Sequence, residues 1–167
     1  MPSAATGVVE EALNELSGIS GFRFNIEGYT DEGPSKNRKP FQPERYGDRW
    51  APVLIAWSDA DEHGELGENV AGLGGSARIQ VSRSHHVYVS GIVYLDGDDA
   101  ARMVTHDNGR AYVKAVVLHE LGHLIGLGHV DDPGELMNES NTGLFGYGNG
   151  DLTGIAALAR GQCEENL

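Results

Sequence analysis

The stretch His119-Glu120-Leu121-Gly122-His123-Leu124-Ile125-Gly126-Leu127-Gly128-His129 holds the side chains best suited to chemistry in this 167-residue chain. Imidazole and carboxylate groups bind transition metals and move protons near neutral pH. On a helix, four residues is just over one turn, so His119 and His123 project from the same face. Both can then reach one ion at about 2.0–2.1 Å. Glu120 falls beside that ion rather than on it, where a base must stand to take a proton from water. Gly126 sits where the helix has to stop and turn sharply, a backbone state that glycine adopts at least cost. The turn brings His129 back as a third nitrogen ligand. Three protein ligands leave a position for water, which marks a catalytic rather than a structural zinc site. One catalytic Zn2+ is the expected cofactor. The plain alternative, three unrelated histidines, fits this spacing poorly.

The elements that must position these groups are legible in the periodicity. Residues 111–124 form the most apolar helical stretch, so the metal-binding helix is expected to be buried. Val8, Val9, Ala12, Leu13 and Leu16 form a helical stripe between Thr6 and Ser17, with Gly18 as the stop. Phe22, Phe24 and Ile26 alternate with polar neighbours and predict a strand. Residues 28–52 carry four prolines, the last being Pro52, and read as a surface excursion. Val53–Trp57, Ala77–Val81 and Val87–Leu95 predict three more strands. Asp59–Gly75 reads as a loop, and Asp96–Asn108 as an acidic connection. A last helix is expected over Leu152–Ala159, with Asp151 as its N-cap. Helices and strands in this order give an α+β class, in one domain spanning residues 1–167.

Composition narrows the partners. Twelve basic residues against twenty-five acidic ones give a net charge of −13. Nucleic acid is not an expected partner, because phosphate neutralisation needs clustered Lys and Arg. An anionic membrane surface is disfavoured for the same reason. No run approaches the length of a membrane helix. Cys163 is the lone cysteine, so no internal disulfide framework exists.

The extended histidine motif, with Met137 eight residues beyond His129, resembles that of the metzincin metalloproteases. Within them, His129-Val130-Asp131-Asp132-Pro133-Gly134-Glu135-Leu136-Met137 is similar to the matrixin run from third histidine to methionine. Asp151-Leu152-Thr153-Gly154-Ile155 resembles the start of that family's final helix. The resemblance implies a zincin fold, with a twisted mixed β-sheet, an active-site helix and a C-terminal helix. It implies a zinc endopeptidase with Glu120 as catalytic base, peptide or protein substrates and an extracellular setting. A monomer is expected. Met137 would form a turn beneath the metal without touching it, and the substrate would lie antiparallel to an edge strand at Ala77, Arg78 and Ile79. A non-catalytic zinc module of the same fold, binding partner proteins, is the alternative function. An exopeptidase would need an element capping the cleft.

Several positions depart from the family pattern. Asp96 and Asp99 stand where it places calcium carboxylates, but Ala71 replaces a third, so Ca2+ rests on two ligands. His63-Gly64-Glu65 resembles the opening of a second, structural zinc site, yet Ile79 and Tyr94 occupy the matching histidine positions. No second zinc is expected, and His63, His85, His86 and His106 are read as surface residues. Asp131 and Asp132 either orient ligand imidazoles or form a solvated loop. After Met137 comes Asn138-Glu139-Ser140, not the family's Tyr-Pro, so pocket depth does not carry over. The family's first strand and propeptide motif have no counterpart, so the expectation is either that this chain is truncated or that another segment fills the strand's place.

Overall fold

The computed structural model describes residues 5, 7–35, 37–67, 70–140, 143–164 and 167. Eight elements follow one another: α1 (Val8–Ser20), α2 (Pro43–Tyr46), β1 (Leu54–Ser58), β2 (Gly72–Ser82), β3 (His85–Asp96), α3 (Gly97–Met103), α4 (Gly109–Ile125) and α5 (Asn149–Leu158). The strands form one mixed sheet in the order β1-β3-β2. β1 runs parallel to β3, pairing Leu54 with Ile92 through Ser58 with Asp96. β2 runs antiparallel to β3 and leaves its other edge without a strand neighbour among the described residues.

The helix α4 lies across one face of this sheet. Val113, Val117, Leu118, Leu121 and Leu124 are buried between the sheet residues Val93 and Leu95 and the α1 residues Val8, Ala12 and Leu16. α4 is thus covered on two sides, which accounts for its apolar sequence. At the rim, Arg110 pairs with Glu11 and Lys114 with Glu15, at 2.5 and 2.6 Å. Such surface pairs orient α1 more than they stabilise it. A smaller cluster of Leu54, Leu66 and Tyr94 covers the opposite face of the sheet.

The α+β class and the helix and strand order agree with expectation, and the differences are local. α1 runs through Gly18 to Ser20, because Gly21, at φ 76°, supplies the left-handed cap and donates its N–H to Ser17 O. Its expected start at Thr6 lies outside the described residues. Phe22–Ile26 forms no strand: Phe24 packs against the main core while Ile26 is exposed, and no strand among the described residues pairs with them. Alternation predicts which side chains turn inward but not whether a hydrogen-bonding neighbour exists. β2 begins at Gly72, inside the expected loop. The acidic connection holds α3, because Asp96 accepts the Asp99 N–H (2.8 Å) and caps it. α5 starts two residues before Asp151, which occupies the third helical position instead of the cap.

The excursion over residues 28–52 is clasped to the sheet by Glu32 and Arg38. Glu32 accepts from Arg38 Nε (2.9 Å), Arg38 Nη2 (3.0 Å), Gln42 Nε2 (2.7 Å) and Tyr46 Oη (2.6 Å). Arg38 Nη1 donates to Ser90 Oγ and Gly91 O of β3, and Nη2 to Pro52 O. Burial alone would raise the Glu32 pKa, but hydrogen bonds from Arg38, Tyr46 and Gln42 outweigh it and hold the value at about 2.

Candidate metal centre and active site

α4 presents His119 and His123 one turn apart. The helix ends at Gly126, whose φ of 113° lies in the left-handed region, and whose N–H reaches back to Gly122 O and His123 O. The reversal returns His129 to the same spot. The three Nε2 atoms form a near-equilateral triangle: 3.1 Å between His119 and His123, 3.2 Å between His119 and His129, and 3.0 Å between His123 and His129.

Hydrogen bonding fixes which ring nitrogens carry protons. His119 Nδ1 lies 2.7 Å from Leu136 O, and His123 Nδ1 lies 2.9 Å from Leu127 O. A carbonyl only accepts, so each Nδ1 is the N–H, and the Nε2 of each neutral ring carries a lone pair. Burial, opposed by the Leu136 hydrogen bond, lowers the His119 pKa to about 4, and burial also lowers that of His123. Both rings are therefore neutral near pH 7, with lone pairs turned towards each other. A cation relieves that repulsion. Tetrahedral zinc at 2.0–2.1 Å would separate its nitrogens by about 3.3 Å, close to the triangle found. The donor set fits zinc.

Glu120 is 6% exposed. Burial raises its pKa to about 7, against a smaller lowering by a hydrogen bond from the Gly74 backbone. A carboxylate of this kind, in the residue after His119, matches the requirements of a general base at neutral pH.

Below the histidines, Met137 is buried against Gly122, where an added β-carbon would stand 2.4 Å from Met137 Sδ. The methionine turn is held by α5. The buried Asp151 carboxylate accepts from the backbone N–H groups of Leu136 (2.6 Å), Met137 (3.4 Å) and Gly148 (3.0 Å). Glu135 replies by accepting from Gly150 and Asp151 N–H, both at 2.8 Å, at the positive end of α5. Leu136 O, fixed by this lock, is the carbonyl that orients His119. Sequence reasoning made Asp151 the N-cap of the last helix and missed its hold on the methionine turn; an acid directly after Gly148-Asn149-Gly150 was the available signal.

The remaining expected residues fall as follows. Asp132 Oδ1 accepts from Gly134 N and closes a local turn, and Asp131 is exposed. Backbone carbonyls therefore orient the His119 and His123 rings, in place of either aspartate. Asp96 caps α3 and Asp99 pairs with Arg102 (2.8 Å). Among the described residues neither joins a cluster of three metal-ligating groups; the one such cluster is His119, His123 and His129. Ala77, Arg78 and Ile79 lie on the edge strand β2, but the part of β2 against Glu120 is Gly72 and Gly74.

His85, His86 and His106 are exposed as expected, whereas His63 is buried. Its ring lies 4.6 Å from that of Tyr94, and neither nitrogen has a hydrogen-bond partner among the described residues. It lines a cavity of about 450 Å³ bounded by Glu65, Leu73, Gly75 and Ile92. Its packing on the buried strand residue Tyr94 holds His63 inside, which polarity alone did not reveal.

A family model described as Matrixin matches residues 41–158, from the excursion to the end of α5. Neither the curated proteins nor the solved structures gave a match. The matched span includes the sheet, the three histidines, Glu120 and the methionine turn. The chain belongs to the matrixin family of zinc metalloproteases.

Proposed function

We propose that this protein is a zinc-dependent endopeptidase with Glu120 as its general base. The observation that carries this reading is the convergence of three Nε2 atoms within 3.0–3.2 Å of one another, next to a buried carboxylate. His119, His123 and His129 would hold the metal. When bound, zinc polarises a carbonyl and lowers the pKa of water towards about 7. The Glu120 carboxylate accepts the proton of the attacking water as its oxygen bonds to the scissile carbon. It then delivers that proton to the leaving nitrogen as the C–N bond breaks.

The edge of β2 that has no strand neighbour among the described residues supports the substrate's place. An extended peptide adds to such an edge through backbone hydrogen bonds, and the nearest edge to the base is the Gly72–Ser76 part of β2. This moves the expected substrate contact a few residues ahead of Ala77–Ile79. The family's usual setting supports action outside the cell, and a single catalytic domain acting as a monomer is the simplest form of the enzyme.

The test is a peptide library incubated with zinc-loaded protein, with and without a chelator, and read by mass spectrometry. Internal cuts that vanish with chelator are expected. Release of terminal residues alone would contradict the endopeptidase reading.

A further inference from the structure

The glycines Gly72 and Gly74 of β2 meet Glu120 in two different ways. Successive residues of a strand face opposite sides, so Gly72, Gly74 and Ser76 all turn towards α4. Ser76 Oγ donates to Leu124 O (2.9 Å), one helical turn beyond Glu120. A β-carbon on Gly74 would stand 2.4 Å from Glu120 O and 3.0 Å from its Cα. That limit concerns backbone against backbone and sets how closely strand and helix approach. A β-carbon on Gly72 would instead stand 2.7 Å from Cγ, 2.9 Å from Oε1 and 3.0 Å from Cδ of Glu120. The three atoms nearest to the space that Gly72 leaves open all belong to the side chain of the base. Gly72 is not among the glycines with positive φ, so its backbone does not itself demand glycine.

From this steric difference we infer that Gly72 is a positioning residue for the reaction. Its missing side chain makes a slot that seats the Glu120 carboxylate, and the Gly74 N–H, which hydrogen-bonds that carboxylate, closes the slot from the next position on the same face. The inference rests on Glu120 being the base. It adds that the edge strand guiding the substrate also sets where the base stands. A misplacement of about 1 Å at a reacting group costs on the order of 10²-fold in rate. An added methyl at Gly72 forces a displacement of that size, since the carboxylate is the end of a flexible chain and yields before the fold does.

The test is a cycle of Gly72→Ala and Glu120→Asp in the zinc-loaded protein. With Glu120 present, G72A is expected to lower kcat about 10²-fold, leaving KM, zinc stoichiometry and melting temperature nearly unchanged. With the shorter Asp at position 120, the slot is relaxed and G72A should change kcat little. The amide proton of Gly74, followed by NMR, should lose its hydrogen-bond shift both in G72A and in E120A. Equal losses in both backgrounds, loss of zinc or stability with activity, or an unmoved Gly74 resonance would each overturn the slot. A wild-type protein inert to all peptides would instead overturn the proteolytic reading, and the catalytic purpose of the slot with it.

Discussion

At the residue scale, each histidine in the triangle has a distinct support. His119 and His123 are oriented by backbone carbonyls from the methionine turn and the helix reversal. His129 is the exposed member and arrives by way of the Gly126 turn. Replacing it by alanine leaves two ligands on a rigid helix. His129→Ala is therefore expected to weaken zinc binding by at least 10²-fold with little effect on the fold, since no core contact is lost. Zinc competition against a colorimetric chelator measures this directly. Unaltered affinity would remove His129 from the ligand set. The histidine triangle was legible in the sequence because metal binding would impose this spacing on one helix and one turn. The orienting carbonyls were not, since a backbone oxygen has no sequence signature. Asp131 and Asp132 drew attention only because their side chains do.

At the element scale, the site depends on how α4, the methionine turn and α5 are locked together. Asp151 takes three backbone N–H groups, two of them from the turn. Asp151→Ala would leave buried donors unmet, at about 1–3 kcal/mol each. The expected result is a drop in unfolding free energy of a few kcal/mol together with weaker zinc binding, followed by urea denaturation and metal titration. A variant with normal stability would show that the lock is dispensable. Gly122→Ala acts from the other side, since its β-carbon would strike Met137 Sδ. Overpacking of this kind costs about 1–3 kcal/mol, and restoring space with Met137→Ala should recover part of it. α4 was readable from its apolar sequence and the stop at Gly126, and α5 from the helical stretch that follows Asp151. The strand expected at Phe22–Ile26 failed because its inward residues found a core but no strand to pair with. α3 was hidden because its start signal, Asp96, also stands where the family places a calcium carboxylate, and its cap is a single hydrogen bond to Asp99 N–H.

At the scale of the whole molecule, the excursion over residues 28–52 is tied to the sheet by one buried ion pair with a ring of hydrogen bonds. Glu32 titrates near 2 in the folded protein against an ordinary value of 4.5. Because the folded value is the lower one, the stabilisation is complete above pH 4.5 and disappears as the pH falls towards 2. A shift of this size corresponds to about 3 kcal/mol. Glu32→Gln should be less stable than the wild type at pH 7, with the gap narrowing between pH 5 and pH 2. A gap independent of pH would show that the clasp is not ionic. Four prolines and mixed charge identified this segment as an excursion, but the Glu32–Arg38 pairing joins residues six apart to a strand more than fifty residues away. Local pattern carries no such information. The net charge of −13 likewise bears on solubility and partners, not on where the chain folds back.

The most direct test compares peptide cleavage by zinc-loaded wild type and Glu120→Ala, with bound zinc measured in both. The expected outcome is equal zinc content and a fall in kcat/KM of about 10²–10⁴-fold in the variant. Cleavage at the wild-type rate by E120A, or zinc-loaded wild type that cuts no peptide bond, would contradict it.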